Sequence, residues 1–215
     1  MIRKLYQTGA ARMLCAGVVL ASLVSSSTLA DPVVLRQNGT TSARLVPPTL
    51  TGPTARIVEA TLDCYLERFY GWKLPQTKTA DAPGVYIVAG NAENNPVLQR
   101  LVEDGLTLDL ADLGDEGFRI VTHEAGEKKY VIIGANAPLG LKHGCQELVF
   151  YRIGATTALA QVEWPLNVSM KPAFGYRSIY MLPCWSAYDS IESWQRILKF
   201  NSEITLNRCW FWLAG

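Results

Sequence analysis

The run EGFRIVTHEAGEKKYVIIGANAPLGLKHGCQELVFYR, from Glu116 to Arg152, constrains this chain's fold more than any other stretch. Phe118–Thr122 and Tyr130–Ile133 are rich in β-branched and aromatic residues, and the polar loop HEAGEKK between them turns the chain back, so the segment reads as a β-hairpin. The second strand runs into Gly134 and a turn containing Pro138 and Gly140. A helix follows, carrying Leu141, Cys145, Leu148 and Tyr151 along one side. Hairpin, turn and amphipathic helix in immediate succession predict an α+β fold, a mixed sheet with helices packed on it.

The flanking segments fit that layer. Val33–Arg36 is a short strand, and residues 37–52, rich in Asn, Thr, Ser and Pro, read as loop with one short strand. Thr51-Gly52-Pro53 starts a helix in which Val58, Leu62, Tyr65 and Phe69 fall at helical spacing as far as Tyr70, with Gly71 placed to end it. Gly84–Gly90 is an apolar run bounded by glycines, as a buried strand requires. Asn95-Pro96 opens a shorter helix that ends near Asp104-Gly105.

After Trp164-Pro165 to Pro172, read as a connection, the pattern changes. Tyr176–Met181 reads as a strand, Ile191–Phe200 as a helix with Trp194, Ile197 and Leu198 on one side, and Leu206–Leu213 as a second strand. This β-α-β order opens a parallel unit such as the first quarter of an eight-stranded barrel. A complete barrel needs roughly 200 residues and about 45 follow the connection, so the barrel start is expected to be incomplete.

The first thirty residues stand apart. Arg3, Lys4 and Arg12 form a basic start, Met13–Val24 an apolar stretch too short to span a bilayer comfortably, and Thr28-Leu29-Ala30 a small-residue cleavage site before Asp31. The expected organisation is a signal peptide over 1–30, an α+β domain over 31–165, and a linker with a truncated barrel start over 166–215. The product is expected to be exported, to the periplasm or the extracellular space.

Without the leader, 17 Lys and Arg face 19 Asp and Glu, a balance of −2. No basic run remains to neutralise phosphates or to hold the chain on an anionic membrane, so neither nucleic acid nor membrane is an expected partner. Cys64, Cys145, Cys184 and Cys209 permit two disulfides in an exported chain, but each sits in apolar helix or strand context, where a buried thiol is the favoured reading. With only His123 and His143, and no CxxC, neither a metal site nor a cofactor is expected.

Several motifs invite chemistry. Gly134, Gly140 and Gly144 follow a strand into a helix, but neither GxGxxG nor Gly-Lys-Ser/Thr spacing is met, so a structural turn is expected rather than a phosphate loop. Asp112, Asp115 and Glu116 form an acidic cluster that reads as a solvated turn, since glycosidase chemistry needs two carboxylates facing each other across the sugar. His143, beside Lys142, is read as capping or bonding locally. No catalytic residue is assigned. Trp185, Tyr188, Trp194, Trp210 and Trp212 fall within 28 residues. Trp185 and Trp212 lie near the C-terminal ends of the two proposed strands, the end that carries the chemistry of a barrel, and are candidate sugar platforms or equally core residues.

Two segments carry a family resemblance: Gly117 through Leu148, and Lys171-Pro172-Ala173-Phe174-Gly175-Tyr176-Arg177-Ser178, which is similar to a Pro-x-Phe-x-x-Arg-Gly entry to a first barrel strand. Together they resemble the auxiliary domain and barrel entry of glycoside hydrolases of the β-N-acetylhexosaminidase and α-glucuronidase type. The resemblance implies carbohydrate as the partner, and a sugar-hydroxyl role for Arg177, whose alternative is an ion pair closing the barrel base. Ser178 stands where the family usually has glycine, which leaves the substrate class open. The family's catalytic acids lie on later strands, which implies a chain inactive by itself. The alternative role is a non-catalytic module that binds carbohydrate or docks on a separate catalytic subunit.

Overall fold

A computed structural model describes residues 31–156, 158–181 and 190–211. Its centre is a five-stranded mixed sheet. The strands β3 (Ala43–Val46), β4 (Gly84–Gly90), β6 (Lys128–Gly134), β5 (Phe118–Ala125) and β9 (Asn167–Met170) lie side by side in that order. β3, β4 and β6 run parallel, whereas β5 is antiparallel to both of its neighbours.

Alternation along these strands feeds two apolar layers, because successive side chains leave opposite faces of a strand. Ile87, Ala89, Ile120, Val131 and Ile133 point to one face, where they meet Leu62 and Leu66 of helix α1 (Ile57–Tyr70) and Leu141 and Cys145 of helix α3 (Pro138–Glu147). Tyr86, Val88, Val121, Tyr130 and Ile132 point to the other, against Val97, Leu98 and Leu101 of helix α2 (Pro96–Glu103). Tyr86 and Tyr130 are register partners on β4 and β6, and their rings stack at 5.8 Å. Each fully buried aliphatic side chain here contributes about 2 kcal/mol.

Helix ends follow the sequence cues. Gly71 closes α1 at φ 71°, a left-handed conformation that costs glycine little, and its N–H reaches the Glu67 carbonyl at 3.0 Å. Asn95 caps α2, its side-chain oxygen accepting from the N–H groups of Val97 and Leu98.

A second, antiparallel sheet takes up the predicted strand at Val33–Arg36 and adds β-strands after Arg152 that the sequence patterns did not show. β1 (Val33–Gln37) pairs with the two-residue β2 (Thr40–Thr41) and with β8 (Leu159–Val162), which in turn pairs with β7 (Ile153–Ala155). Val33, Leu35, Ala160 and Val162 join the α1/α3 core. Last, β10 (Ser178–Met181) and β11 (Arg208–Phe211) are parallel neighbours joined through helix α4 (Ile191–Glu203). The described residues are thus an α+β fold with mixed sheets, followed by one β-α-β unit.

Three local expectations are corrected. HEAGEKK is mostly strand: β5 and β6 continue to Ala125 and Lys128, leaving Gly126-Glu127 as the turn, with Gly126 at φ 60°. The stretch read as a connection carries β9, which extends the sheet beyond β5. Tyr151 leaves the buried side of the α3 helix and is 72% exposed, because Leu148–Arg152 widens into a π-turn that rotates the face and turns Val149 inward.

Candidate functional site

The site residue indicated by sequence, Arg177, lies just before β10, where the β-α-β unit meets the α+β layer. Each nitrogen of its guanidinium has a partner. Nε donates to the Thr205 carbonyl at 2.8 Å, Nη1 to the Phe174 carbonyl at 2.7 Å, and Nη2 forms an ion pair with Glu116. The planar fork of arginine suits such divergent bonding. Asn207 donates to the second oxygen of Glu116 at 3.0 Å and also to the Gly175 carbonyl at 2.8 Å.

Glu116 therefore belongs to the junction, whereas Asp112 and Asp115 are exposed. Burial pushes its carboxyl up, but the hydrogen bonds from Arg177 and Asn207 and the charge of Arg177 outweigh it and hold the group below the ordinary carboxylate range. His143 is buried on α3, and its Nδ1 lies 3.0 Å from the Glu116 carbonyl. A carbonyl only accepts, so Nδ1 carries the proton of the neutral ring and Nε2 is left as an acceptor. Burial lowers the imidazole's pKa and favours that neutral form.

A second set of contacts closes the end of α4. Thr205 sits at φ 61° and follows the last turn, letting the Leu206 N–H reach the Asn201 carbonyl at 2.9 Å. The Ser202 carbonyl, one of the end groups a helix cannot satisfy itself, accepts from Lys142 Nζ at 3.3 Å and from Gln146 Nε2 at 3.4 Å. Lys142 and Gln146 are four apart on α3 and so share one face. Burial pushes the Lys142 ammonium's pKa down, with Glu203 acting in the opposite sense. Arg68 of α1 adds an ion pair to Glu203 at 3.5 Å.

Between these two sets of contacts lies a cleft of about 600 Å³. α3 and its π-turn form one wall, and residues 170–173 and 203–205 form the other. Its carboxylates are held: Glu116 by Arg177, Glu203 by Arg68, and Glu147 by Arg152 at 2.6 Å. No group of three or more His, Cys, Asp or Glu able to hold a metal occurs among the described residues.

Trp185 and Trp212, the other two sequence candidates, and Cys184 lie outside the described residues. Cys64 and Cys145 are free thiols, and burial raises the pKa of Cys145. Sequence reasoning missed the junction roles of Glu116, Lys142, Gln146 and Thr205. The available signal was the polar pair Lys142/Gln146 at i, i+4 on an otherwise apolar helix.

No family model matches the chain, and no curated protein matches it either. Solved structures do. A β-hexosaminidase mutant from Streptomyces plicatus, in complex with the product GlcNAc, is 18% identical with a TM-score of 0.55 over 85% of this chain. The fold is β-hexosaminidase-like. A β-N-acetylhexosaminidase from Streptomyces coelicolor agrees (17% identity, TM-score 0.55, 86% of this chain), as does an exo-β-N-acetylglucosaminidase mutant from Vibrio harveyi (18%, 0.52, 83%). This chain spans 32%, 34% and 25% of those three structures respectively, so the hexosaminidase-like fold covers about a third or less of each of them.

Proposed function

We propose that these residues are the N-terminal part of an exported glycoside hydrolase of carbohydrate degradation, of the hexosaminidase or α-glucuronidase type. The α+β domain positions the start of a catalytic barrel. The observation that carries this reading is the continuity between an α+β layer and a β-α-β unit, locked at Arg177 and Glu116, within a fold shared with β-hexosaminidases.

By themselves the residues are proposed to be inactive. Glycoside hydrolysis needs two carboxyl groups across the scissile bond, one of them free to donate a proton. Each carboxylate lining the cleft is instead bound to an arginine. Arg177 serves here as the strut of the barrel entry, and contact with sugar hydroxyls would have to use the N–H groups its three bonds leave over.

The test is expression of the chain together with the coding sequence that follows codon 215. An open frame supplying further βα units, and turnover of aryl glycosides by the longer product but not by residues 31–215, is the expected result. A stop codon directly after Gly215, with no glycosidase activity, would overturn it in favour of the non-catalytic module.

A further inference from the structure

The cleft beside α3 has chemistry that the barrel-entry reading does not use. Gln146 is 3% exposed, and its amide nitrogen is committed to the Tyr65 hydroxyl and the Ser202 carbonyl. Its carboxamide oxygen is buried with no hydrogen-bond partner. A buried acceptor left without a donor is costly, so it marks a place where a donor belongs. His143, three residues earlier and on the same face of α3, turns Nδ1 to Glu116 and leaves Nε2 as a second acceptor. Both residues line the cleft.

The rest of the lining narrows the donor's identity. Glu116 and Glu147 are closely paired with Arg177 and Arg152, and Glu203 lies 3.5 Å from Arg68, so little negative charge is left to recruit a cation. Glu203 Oε1, which accepts no hydrogen bond, adds an acceptor for a donor ligand. At the mouth, Phe150 and the exposed ring of Tyr151 offer apolar surface, continued by Met170 and Ile204. A ligand that fits must be uncharged, carry several O–H donors, and present a C–H face to an aromatic ring. The volume falls within the roughly 300–1,000 Å³ of small-molecule sites.

We propose that this cleft is a binding site for one neutral pyranose unit, separate from any barrel active site. Hydroxyls of the sugar donate to His143 Nε2 and, once the Gln146 carboxamide turns toward the cleft, to its Oε1, and the C–H face of the sugar lies on Tyr151. The inference rests on the carbohydrate reading only for the choice of ligands to try.

The test is titration of the chain with methyl β-glycosides of glucose and of N-acetylglucosamine, followed by saturation-transfer NMR and calorimetry. Methyl β-glucuronide and inorganic phosphate serve as charged controls. Saturable binding of a neutral glycoside is expected, weakened at least tenfold by Tyr151→Ala and by Gln146→Leu and retained by Tyr151→Trp. Tyr151 is largely exposed, so its alanine variant is expected to fold even if the Gln146 variant does not. Three results would each overturn the proposal: no neutral glycoside binds, binding is indifferent to Tyr151→Ala, or the charged controls bind better through Lys171. Sugar binding without a hydrolase reading frame after codon 215 would overturn the hydrolase reading alone. A functional hydrolase whose cleft binds nothing would overturn this site alone.

Discussion

The guanidinium of Arg177 is ion-paired with the carboxylate of Glu116, 61 residues earlier in the chain, and the two side chains are only 15% and 23% exposed. One belongs to the entry of β10 and the other to the loop before β5, so this pair fastens the β-α-β unit to the α+β layer. Removing either partner leaves the other charge partly buried without its counterion. Glu116→Ala is expected to cost about 2 kcal/mol in urea unfolding. Amide exchange should quicken first in β10 and β11, and an effect confined to α2 would contradict this assignment.

The same pair sets an acid limb. The folded-state carboxyl of Glu116 titrates below its unfolded value, because Arg177 and Asn207 outweigh the opposing effect of burial. Its contribution is therefore fully present above the unfolded pKa of about 4.3 and is lost as pH falls through the lower folded value. Glu116→Gln should flatten the decline in stability below pH 4.3, measured as Tm against pH. An unchanged acid limb would show that other carboxylates govern it.

Thr205 holds φ at 61°, a region that β-branched residues avoid, and its carbonyl receives Arg177. Relief of that strain exceeds the extra entropy that glycine loses on folding. Thr205→Gly should stabilise the chain by about 1 kcal/mol with Arg177 still in place. A drop in Tm would mean that the threonine side chain makes a contact worth more than the strain.

The sequence disclosed whatever depends on local periodicity. β4 was legible from Gly84 to Gly90 because a buried parallel strand is an unbroken apolar run between glycines, and α1 because Val58, Leu62 and Tyr65 repeat at helical spacing. β7 and β8 were not, since GATTALAQV has neither length nor strong alternation and takes its shape from pairing with β1, more than a hundred residues away. The candidate site was half legible. Arg177 stood out by its neighbours in the chain, but Glu116 could be recognised as its partner only after folding brought 61 residues of separation to contact. The π-turn at Leu148–Arg152 was equally hidden: nothing in LVFYR announces a wider turn, so Tyr151 was counted with the wrong face.

Gly140 and Gly144 were read as shape rather than phosphate binding, and their surroundings explain why glycine is needed. A Cβ at Gly140 would overlap the Gly117 carbonyl oxygen and lie 2.9 Å from Ala135 Cβ, and one at Gly144 would lie 2.5 Å from Ile133 Cγ2. α3 therefore lies directly on the backbone that enters β5 and on the Ile133 side chain of β6. Alanine normally gains about 1 kcal/mol over glycine inside a helix. Gly140→Ala should instead destabilise by about 3 kcal/mol, because backbone must move to accept it. Neutral or improved stability by chemical denaturation would refute this close packing.

Asn95 gives the last prediction, and it separates a cap from a core bond. The residue is 1% exposed, and its Oδ1 accepts from the N–H of Val97 at 3.0 Å and of Leu98 at 3.3 Å. Its Nδ2 donates to the carbonyls of Ala89 at 2.9 Å and Val46 at 3.2 Å, tying the start of α2 to the ends of β4 and β3. Loss of an N-cap alone costs about 1 kcal/mol. Asn95→Asp keeps the cap acceptor but sets a carboxylate against those two carbonyls, whereas Asn95→Ala removes both functions and takes this donor from the carbonyls. Asn95→Ala should thus cost about 3 kcal/mol, and Asn95→Asp should recover little of it at pH 7. Recovery by aspartate in urea unfolding would show that the cap, rather than the strand-end bonds, accounts for the burial of this side chain.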